Sequence, residues 1–226
     1  MICIPIVAKT NNEALKKMRE SIPLSDIVEL RIDYIEDINL KKLLSPKRCT
    51  TIVTNRRGDE GGLFKGTERA RLSFLIEAVE MGTDYIDIEL STDDSLIEEL
   101  RREIETRGNQ TKLIISYHNF ECTPPVKVLQ EIFRNGVKRG ANIVKIVTYA
   151  RKMEDNLTIL NLASHVRNKE EKIITFCMGE KGKVSRGMAP SFGSHMSFAT
   201  LEKGLESALG QLTIEEMRTI GRILQK

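Results

Sequence analysis

This 226-residue chain has no cysteine pair, no glycine fingerprint, no long apolar run and no excess of one charge, and each absence removes a class of function. Lys+Arg 35 against Asp+Glu 32 leaves a formal net charge of only +3, with both signs interspersed. That balance argues against a dedicated nucleic-acid or membrane surface. No apolar run approaches the roughly 18 residues of a membrane span, and the apolar start MICIPIVAKT lacks a basic leader. A soluble, unexported, cytoplasmic protein is expected. Cys3, Cys49, Cys122 and Cys177 lie far apart without a CxxC pair, so reduced thiols are expected. His118, His165 and His195 show neither HxH nor HExxH spacing, which argues against a metal-dependent hydrolase, and no metal is expected. The segment VAKTNNEALKK after the first strand-like run contains no glycine, so a Rossmann-type dinucleotide site is not expected either.

What is present is a repeat of strand and helix. Short β-branched runs occur at 2–7, 27–32, 50–55, 85–90, 112–117, 142–147, 172–177 and, most weakly, 197–201. Their starts are roughly 25 to 35 residues apart, about one βα unit. Apolar residues stand on consecutive positions, as in parallel strands covered on both faces. Helical spacing fills 12–19, 68–81, 95–107, 125–139 and 153–167, and a final helix fits 213–225 with Thr213 as N-cap and Glu216 at the reciprocal capping position. The count predicts an α/β fold: one closed (β/α)8 TIM barrel over 1–226, a single domain with no linker, in preference to an open doubly wound sheet.

A barrel places its chemistry at the carboxyl ends of its strands, so charges within or just after the apolar runs matter most. Lys145 interrupts NIVKIV, where a free ammonium is costly to desolvate. It reads either as a lysine salt-bridged inside the barrel or as an amine nucleophile toward ketones. His118 closes the neighbouring strand and would bring an acid/base group to the same mouth. Glu29, Arg31 and Asp33 alternate on strand two and are expected on one side of it, as an internal ion-pair network or as a site for a hydroxylated, charged ligand. Asp87 and Glu89 pose the same question on strand four, with a supporting or structural role favoured. TNRRGDEGG (54–62) reads as a solvated loop or as an anion and hydroxyl site in which Glu60 pairs with a histidine. The glycine-rich stretch 178–196 reads as a mobile loop whose Arg186 suits capture of a carboxylate.

Six motifs in this order resemble the type I 3-dehydroquinate dehydratases of the shikimate pathway. They are ELRIDY (29–34), R-x3-E-GG from Arg56 to Gly62, SYHNF (116–120), the lone lysine in IVKI (143–146), SRGMAP (185–190) and SALGQ (207–211). The resemblance implies that Lys145 forms a Schiff base, that His118 is the general acid/base and that Glu60 orients it. It implies that Glu29, Arg31, Arg56, Arg186, Ser207 and Gln211 hold the substrate's hydroxyls and carboxylate while Met178 packs against its ring. No cofactor is implied, because an iminium serves as the electron sink, and a homodimer is the expected assembly. The chain departs from the family pattern at Leu209, where a proline is usual. Two other readings stand beside this one: a Schiff-base aldolase of sugar phosphates, which needs a phosphate site after strands seven and eight, and a non-catalytic ligand-binding barrel.

Overall fold

The computed structural model describes every residue except Pro46, Asn109, Asn168, Lys169, Leu205, Gln225 and Lys226. In chain order the elements are β1 (Ile2–Ile6), α1 (Asn11–Ser21), β2 (Ile27–Arg31), α2 (Leu40–Leu44), β3 (Thr51–Thr54), α3 (Glu68–Glu80), β4 (Tyr85–Glu89), α4 (Asp94–Thr106), β5 (Lys112–His118), α5 (Val126–Lys138), β6 (Ile143–Tyr149), α6 (Asp155–Val166), β7 (Lys172–Met178), α7 (Lys183–Phe192), β8 (Ser197–Thr200), β9 (Leu212–Thr213) and α8 (Ile214–Leu224). All eight expected strands are there, every ladder is parallel, and the order β7-β6-β5-β4-β3-β2-β1-β8-β9 is that of a sheet curled into a TIM-barrel-like fold.

Alternation along the strands divides the apolar residues into two bodies. Ile4, Leu30, Val53, Ile86, Ile115, Val144 and Ile173 face outward and pack with Leu75, Leu100, Leu129 and Ile159 of the surrounding helices. Ile27, Ile52, Ile114, Ile143 and Ile174 face inward and fill the lower barrel. Each such side chain contributes about 1.5–3 kcal/mol on burial, so the fold has ample driving force without its upper interior. There the inward positions change character, to Glu29, Thr54, Asp87, Ser116 and Lys145. Consecutive apolar residues and an embedded charge are thus the two faces of the same strands.

The helices begin where short polar side chains take up free backbone N–H groups. Thr10 Oγ1 accepts from Glu13 N at 3.2 Å and Thr67 Oγ1 from Ala70 N at 3.2 Å. At α8 the reciprocal pair forms: Thr213 N donates to Glu216 Oε2 at 2.9 Å and Glu216 N to Thr213 Oγ1 at 3.2 Å. Position 225, included in the expected final helix, lies outside the described residues.

Besides the short helix α2, which no expected helical stretch covered, two elements depart from the sequence reading. The stretch 178–196 is largely helical: α7 replaces the expected mobile loop. Gly182, Gly187 and Pro190 disfavour a helix intrinsically, and tertiary contacts override them. Pro190 has no N–H for the carbonyl of Arg186, four residues back, and Ser197 Oγ of β8 donates to that carbonyl instead at 2.7 Å. Cys177 N, at the end of β7, donates to Ser185 Oγ at 2.9 Å, so both neighbouring strands hold this helix. The second departure is β9, which no sequence feature announced. It pairs with the upper part of β8, while lower down β8 approaches β7 through His195 N donating to Ile173 O at 2.7 Å. Gly179 N, just after β7, donates to Leu209 O at 3.1 Å, so segment 207–213 closes the seam at the mouth. Gly210 belongs to that closure, since a Cβ there would lie 2.1 Å from Gly179 O. Leu209 is 71% exposed and its carbonyl accepts from Gly179 N, a contact that a proline at this position would also offer.

Candidate active site

The cavity at the carboxyl mouth is lined by all ten residues expected there: Glu29, Arg31, Arg56, Glu60, His118, Lys145, Met178, Arg186, Ser207 and Gln211. They come from β2, β5, β6, β7, α7 and the turns after β3 and β8, so only the closed curl brings them together.

Lys145 is 5% exposed. Its Nζ lies 3.0 Å from Asp87 Oδ2 and 3.5 Å from Glu29 Oε1, and 4.4 Å from the centroid of the Phe198 ring. The salt-bridge reading and the nucleophile reading therefore describe one geometry: the amine is held by carboxylates and opens onto the cavity. Glu29 is fixed in turn by Thr54 Oγ1, which donates to its Oε1 at 2.8 Å.

His118 Nδ1 is 3.0 Å from Glu60 Oε2, and Ser91 Oγ donates to Glu60 Oε1 at 2.8 Å. Glu60 reaches this position on a tight turn, Gly58–Glu60, that brings the chain back over Arg56. A Cβ on Gly62 would lie 2.0 Å from Arg56 O, which is the physical content of the R-x3-E-GG spacing. Burial, reinforced by Arg56 and Lys145, holds the His118 imidazole well below its usual range. Burial likewise raises the Glu60 carboxyl, against the pull of Arg56 and Ser91. An uncharged imidazole donates Nδ1–H to the carboxylate and keeps Nε2 as its basic nitrogen. The Phe120 ring stacks on His118 with centroids 6.1 Å apart.

Arg56 is fully engaged. Its guanidinium pairs with Asp87 at 2.8 Å and Glu89 at 3.1 Å, and Nη1 donates to Ser116 Oγ at 2.6 Å. Arg31 is clamped by Asp33 through two bonds of 2.9 and 2.8 Å. The expected alternation stops at Arg31, however, because Ile32–Tyr34 is a single 3-10 turn that swings Asp33 round to it.

Arg186 differs from both. It is 1% exposed, it stands 4.3 Å over the Phe176 ring, and its Nε and Nη2 have no hydrogen-bond partner among the described residues. Burial lowers its pKa to about 10. A buried guanidinium without a counter-charge is expensive, so this wall of the cavity favours an anion. Phe176 and Phe198, with ring centroids 5.8 Å apart, stand between Arg186 and Lys145. Neither phenylalanine was singled out from the sequence, although the alternation Ile174, Phe176, Met178 carries the signal for the first. Ser207 N and Oγ donate to Gln211 Oε1 at 2.9 and 3.2 Å, leaving the Gln211 amide nitrogen as a donor at the rim.

The sequence matches the type I 3-dehydroquinase family model over residues 2–226. The chain belongs to the type I 3-dehydroquinase family. It is 36% identical to the 3-dehydroquinate dehydratase of Methanococcus maripaludis strain S2, over 99% of this chain and 100% of that one. With the 3-dehydroquinate dehydratase of Pyrococcus abyssi strain GE5 it shares 38% identity, covering 99% and 98% of the two chains. Among solved structures, the type I 3-dehydroquinate dehydratase of Clostridium difficile, described with a covalently modified comenic acid, superposes with a TM-score of 0.89 at 27% identity, over 99% and 91% of the chains. Among the described residues no helix is long and apolar enough to cross a membrane.

The helix that carries Arg186 supplies a test of its own. Ser197→Ala removes the donor that substitutes for the missing N–H of Pro190 and leaves the Arg186 carbonyl buried and unpaired. A stability loss of about 1–3 kcal/mol is expected by urea denaturation. KM is expected to rise several-fold while kcat changes less, and Ser197→Thr is expected to restore both.

Proposed function

We propose that this protein eliminates water from 3-dehydroquinate through a Schiff base on Lys145, with His118 moving the protons and Arg186 binding the substrate carboxylate. Dehydration of 3-dehydroquinate to 3-dehydroshikimate is the reaction of the family to which the chain belongs. The covalent route is supported by one arrangement above all: a buried amine, an uncharged imidazole with a carboxylate on its far nitrogen, and a guanidinium whose Nε and Nη2 have no hydrogen-bond partner among the described residues, all on one cavity.

Attack of the Lys145 nitrogen on the C3 ketone forms the C–N bond, and loss of the carbonyl oxygen as water gives the iminium. The cation acidifies the C2 proton, which His118 Nε2 removes, and the electron pair moves toward nitrogen as an enamine. That enamine expels the C1 hydroxyl, which leaves as water with the proton returned by His118. Hydrolysis then frees the enone and restores Lys145. Glu60 holds the imidazole and stabilises the imidazolium that forms between the two proton transfers. Glu29, Arg31, Gln211 and Ser207 address the hydroxyls, Met178 packs on the ring, and Arg56 acts through its carboxylate partners as well as at the cavity wall.

A sugar-phosphate aldolase is the weaker reading. Ser194 Oγ accepts from Thr175 N and donates to Met196 O, and Ser197 Oγ donates to Arg186 O, so these two hydroxyls are committed to the fold rather than offered to a phosphate. A cytoplasmic homodimer is the further expectation from the family, and sedimentation measures the assembly.

Two measurements test the proposal. Incubation with 3-dehydroquinate should produce the absorbance of the conjugated enone, and borohydride added during turnover should attach a ligand-sized mass to the peptide containing Lys145. Label on another lysine, or none, would sink the Schiff-base assignment.

For the carboxylate, Arg186→Ala is expected to raise KM by one to two orders of magnitude, the scale of roughly 1.5–3 kcal/mol for a hydrogen bond to a charged group. Arg186→Lys should recover only part of this, because an ammonium lacks the two-pronged contact. Lys181→Ala with Lys183→Ala is the control for a general positive field. An unchanged KM in Arg186→Ala would move the carboxylate to Arg56.

A further inference from the structure

Given a Schiff base on Lys145, on which the assignment rests, we propose that Asp87 is its counter-ion: the carboxylate that accepts the iminium N–H, fixes the plane of the C=N bond and stabilises the cation while C2 loses its proton. Converting the Lys145 ammonium to an iminium leaves one N–H and one positive charge on the same nitrogen. The nearest acceptor to that nitrogen is Asp87 Oδ2 at 3.0 Å, with Glu29 Oε1 at 3.5 Å.

The two carboxylates are not equivalent. Glu29 lines the cavity and is within reach of substrate hydroxyls, whereas Asp87 is fully buried and does not line it. No substrate oxygen competes for Asp87, so its free oxygen serves the nitrogen alone. Orientation comes from the other oxygen. Ser116 Oγ donates to Asp87 Oδ1 at 2.7 Å and the Arg56 guanidinium pairs with it at 2.8 Å, leaving Oδ2 turned to Lys145. Burial by itself raises the Asp87 carboxyl, but Arg56, Lys145 and the Ser116 hydroxyl outweigh it and keep the group ionised.

The chemistry needs both effects. The C2–H bond must stand parallel to the π orbital of the C=N bond when His118 removes the proton, so rotation of the iminium plane slows the step even with the base in place. With the lysine backbone fixed in β6 and its side chain buried, an N–H held by Asp87 restricts the orientation of the plane. When the electron pair reaches nitrogen the positive charge disappears, and a bare carboxylate would resist that change. Arg56 on Oδ1 draws charge away from Oδ2, so the counter-ion favours the iminium without locking the reaction there.

Asp87→Asn keeps the shape and removes the charge. With a saturating equilibrium mixture of 3-dehydroquinate and 3-dehydroshikimate, its rate of borohydride trapping on Lys145 is expected to fall at least about 10-fold and kcat roughly 10²-fold, with KM changing less. Asp87→Glu keeps the charge and should retain most of the trapping while losing turnover, a split that a merely structural residue would not produce. If Asp87→Asn does not fold, the Raman C=N stretch of the wild-type iminium carries the test. Its downshift in D2O should be large, as for an N–H donated to an ion, and smaller in Asp87→Glu. Trapping and kcat in Asp87→Asn equal to wild type, or identical D2O shifts in wild type and Asp87→Glu, overturn the counter-ion. Absence of any Lys145 adduct in the wild type overturns the Schiff base itself, and the two failures are thereby told apart.

Discussion

Lys145→Ala is expected to turn over 3-dehydroquinate about 10⁵-fold more slowly than the wild type or worse, the scale on which loss of a covalent nucleophile acts, and to give no borohydride adduct. The same substitution should weaken the fold. Lys145 is the cation between Asp87 and Glu29, both nearly inaccessible to solvent, and removing one partner of a buried ion pair costs about 3–5 kcal/mol. For a chain of this size that lowers Tm by roughly 6–15 °C, measurable by calorimetry. Lys145→Met restores side-chain volume but neither the amine nor the charge, so it should stay inactive and recover only the packing share of the lost stability, the ion-pair share remaining lost. A variant that keeps turnover within 10-fold of wild type would return Lys145 to a purely structural salt bridge, and the chemistry would need another electron sink.

The buried position of this cation explains why the candidate site was legible in the sequence to the extent it was. A charge in a strand covered on both faces has to be either paired or functional; Lys145 is paired with Asp87 and Glu29 and also lines the cavity, so NIVKIV pointed to this place in the fold. His118 was found in the same way, from its place at the end of a neighbouring strand. Period-two alternation placed Glu29 and Arg31 on one inward face correctly. It failed at Asp33, because alternation says nothing about where a strand stops and a 3-10 turn begins.

The remaining misses have a common cause. α7 was hidden by glycine and proline, whose poor helix propensity is a local property, while the contacts that overrule it come from Ser197 and Cys177, distant or on other elements. β9 is two residues long and exists only because the upper edge of β8 is free at the seam. Ser91 is likewise invisible from sequence, since its bond to Glu60 depends on how the 58–60 turn folds back. Local pattern reported which residues face inward; which of them touch each other depended on closure of the barrel.

The mechanism makes its second strongest demand on His118, and His118→Ala is expected to lower kcat by about 10²–10⁴-fold, the loss typical of a general acid/base. The adduct on Lys145 should still be trapped by borohydride, because the amine remains, and this separates loss of proton transfer from loss of the site. Acidity offers a second, independent readout. In the fold, burial holds the imidazole well below its usual range, whereas in the unfolded chain it titrates near the ordinary value of about 6.5. Between those two values the unfolded chain binds a proton that the folded protein does not. Stability from this group therefore falls as pH drops from about 6.5 and levels off only once the folded form is protonated, with a limiting slope of about 1.4 kcal/mol per pH unit. His118→Ala removes that contribution, so its urea midpoint should depend less steeply on pH between 6.5 and 5 than that of the wild type, whatever the absolute stability of either. The same depression keeps wild-type kcat/KM from falling at the pH where free imidazole protonates, and its acid limb should lie below about 6.5. Near-normal turnover in His118→Ala, or equal pH slopes for the two proteins, would leave the stacked imidazole as packing between Glu60 and Phe120, and another group on the cavity would have to remove the C2 proton.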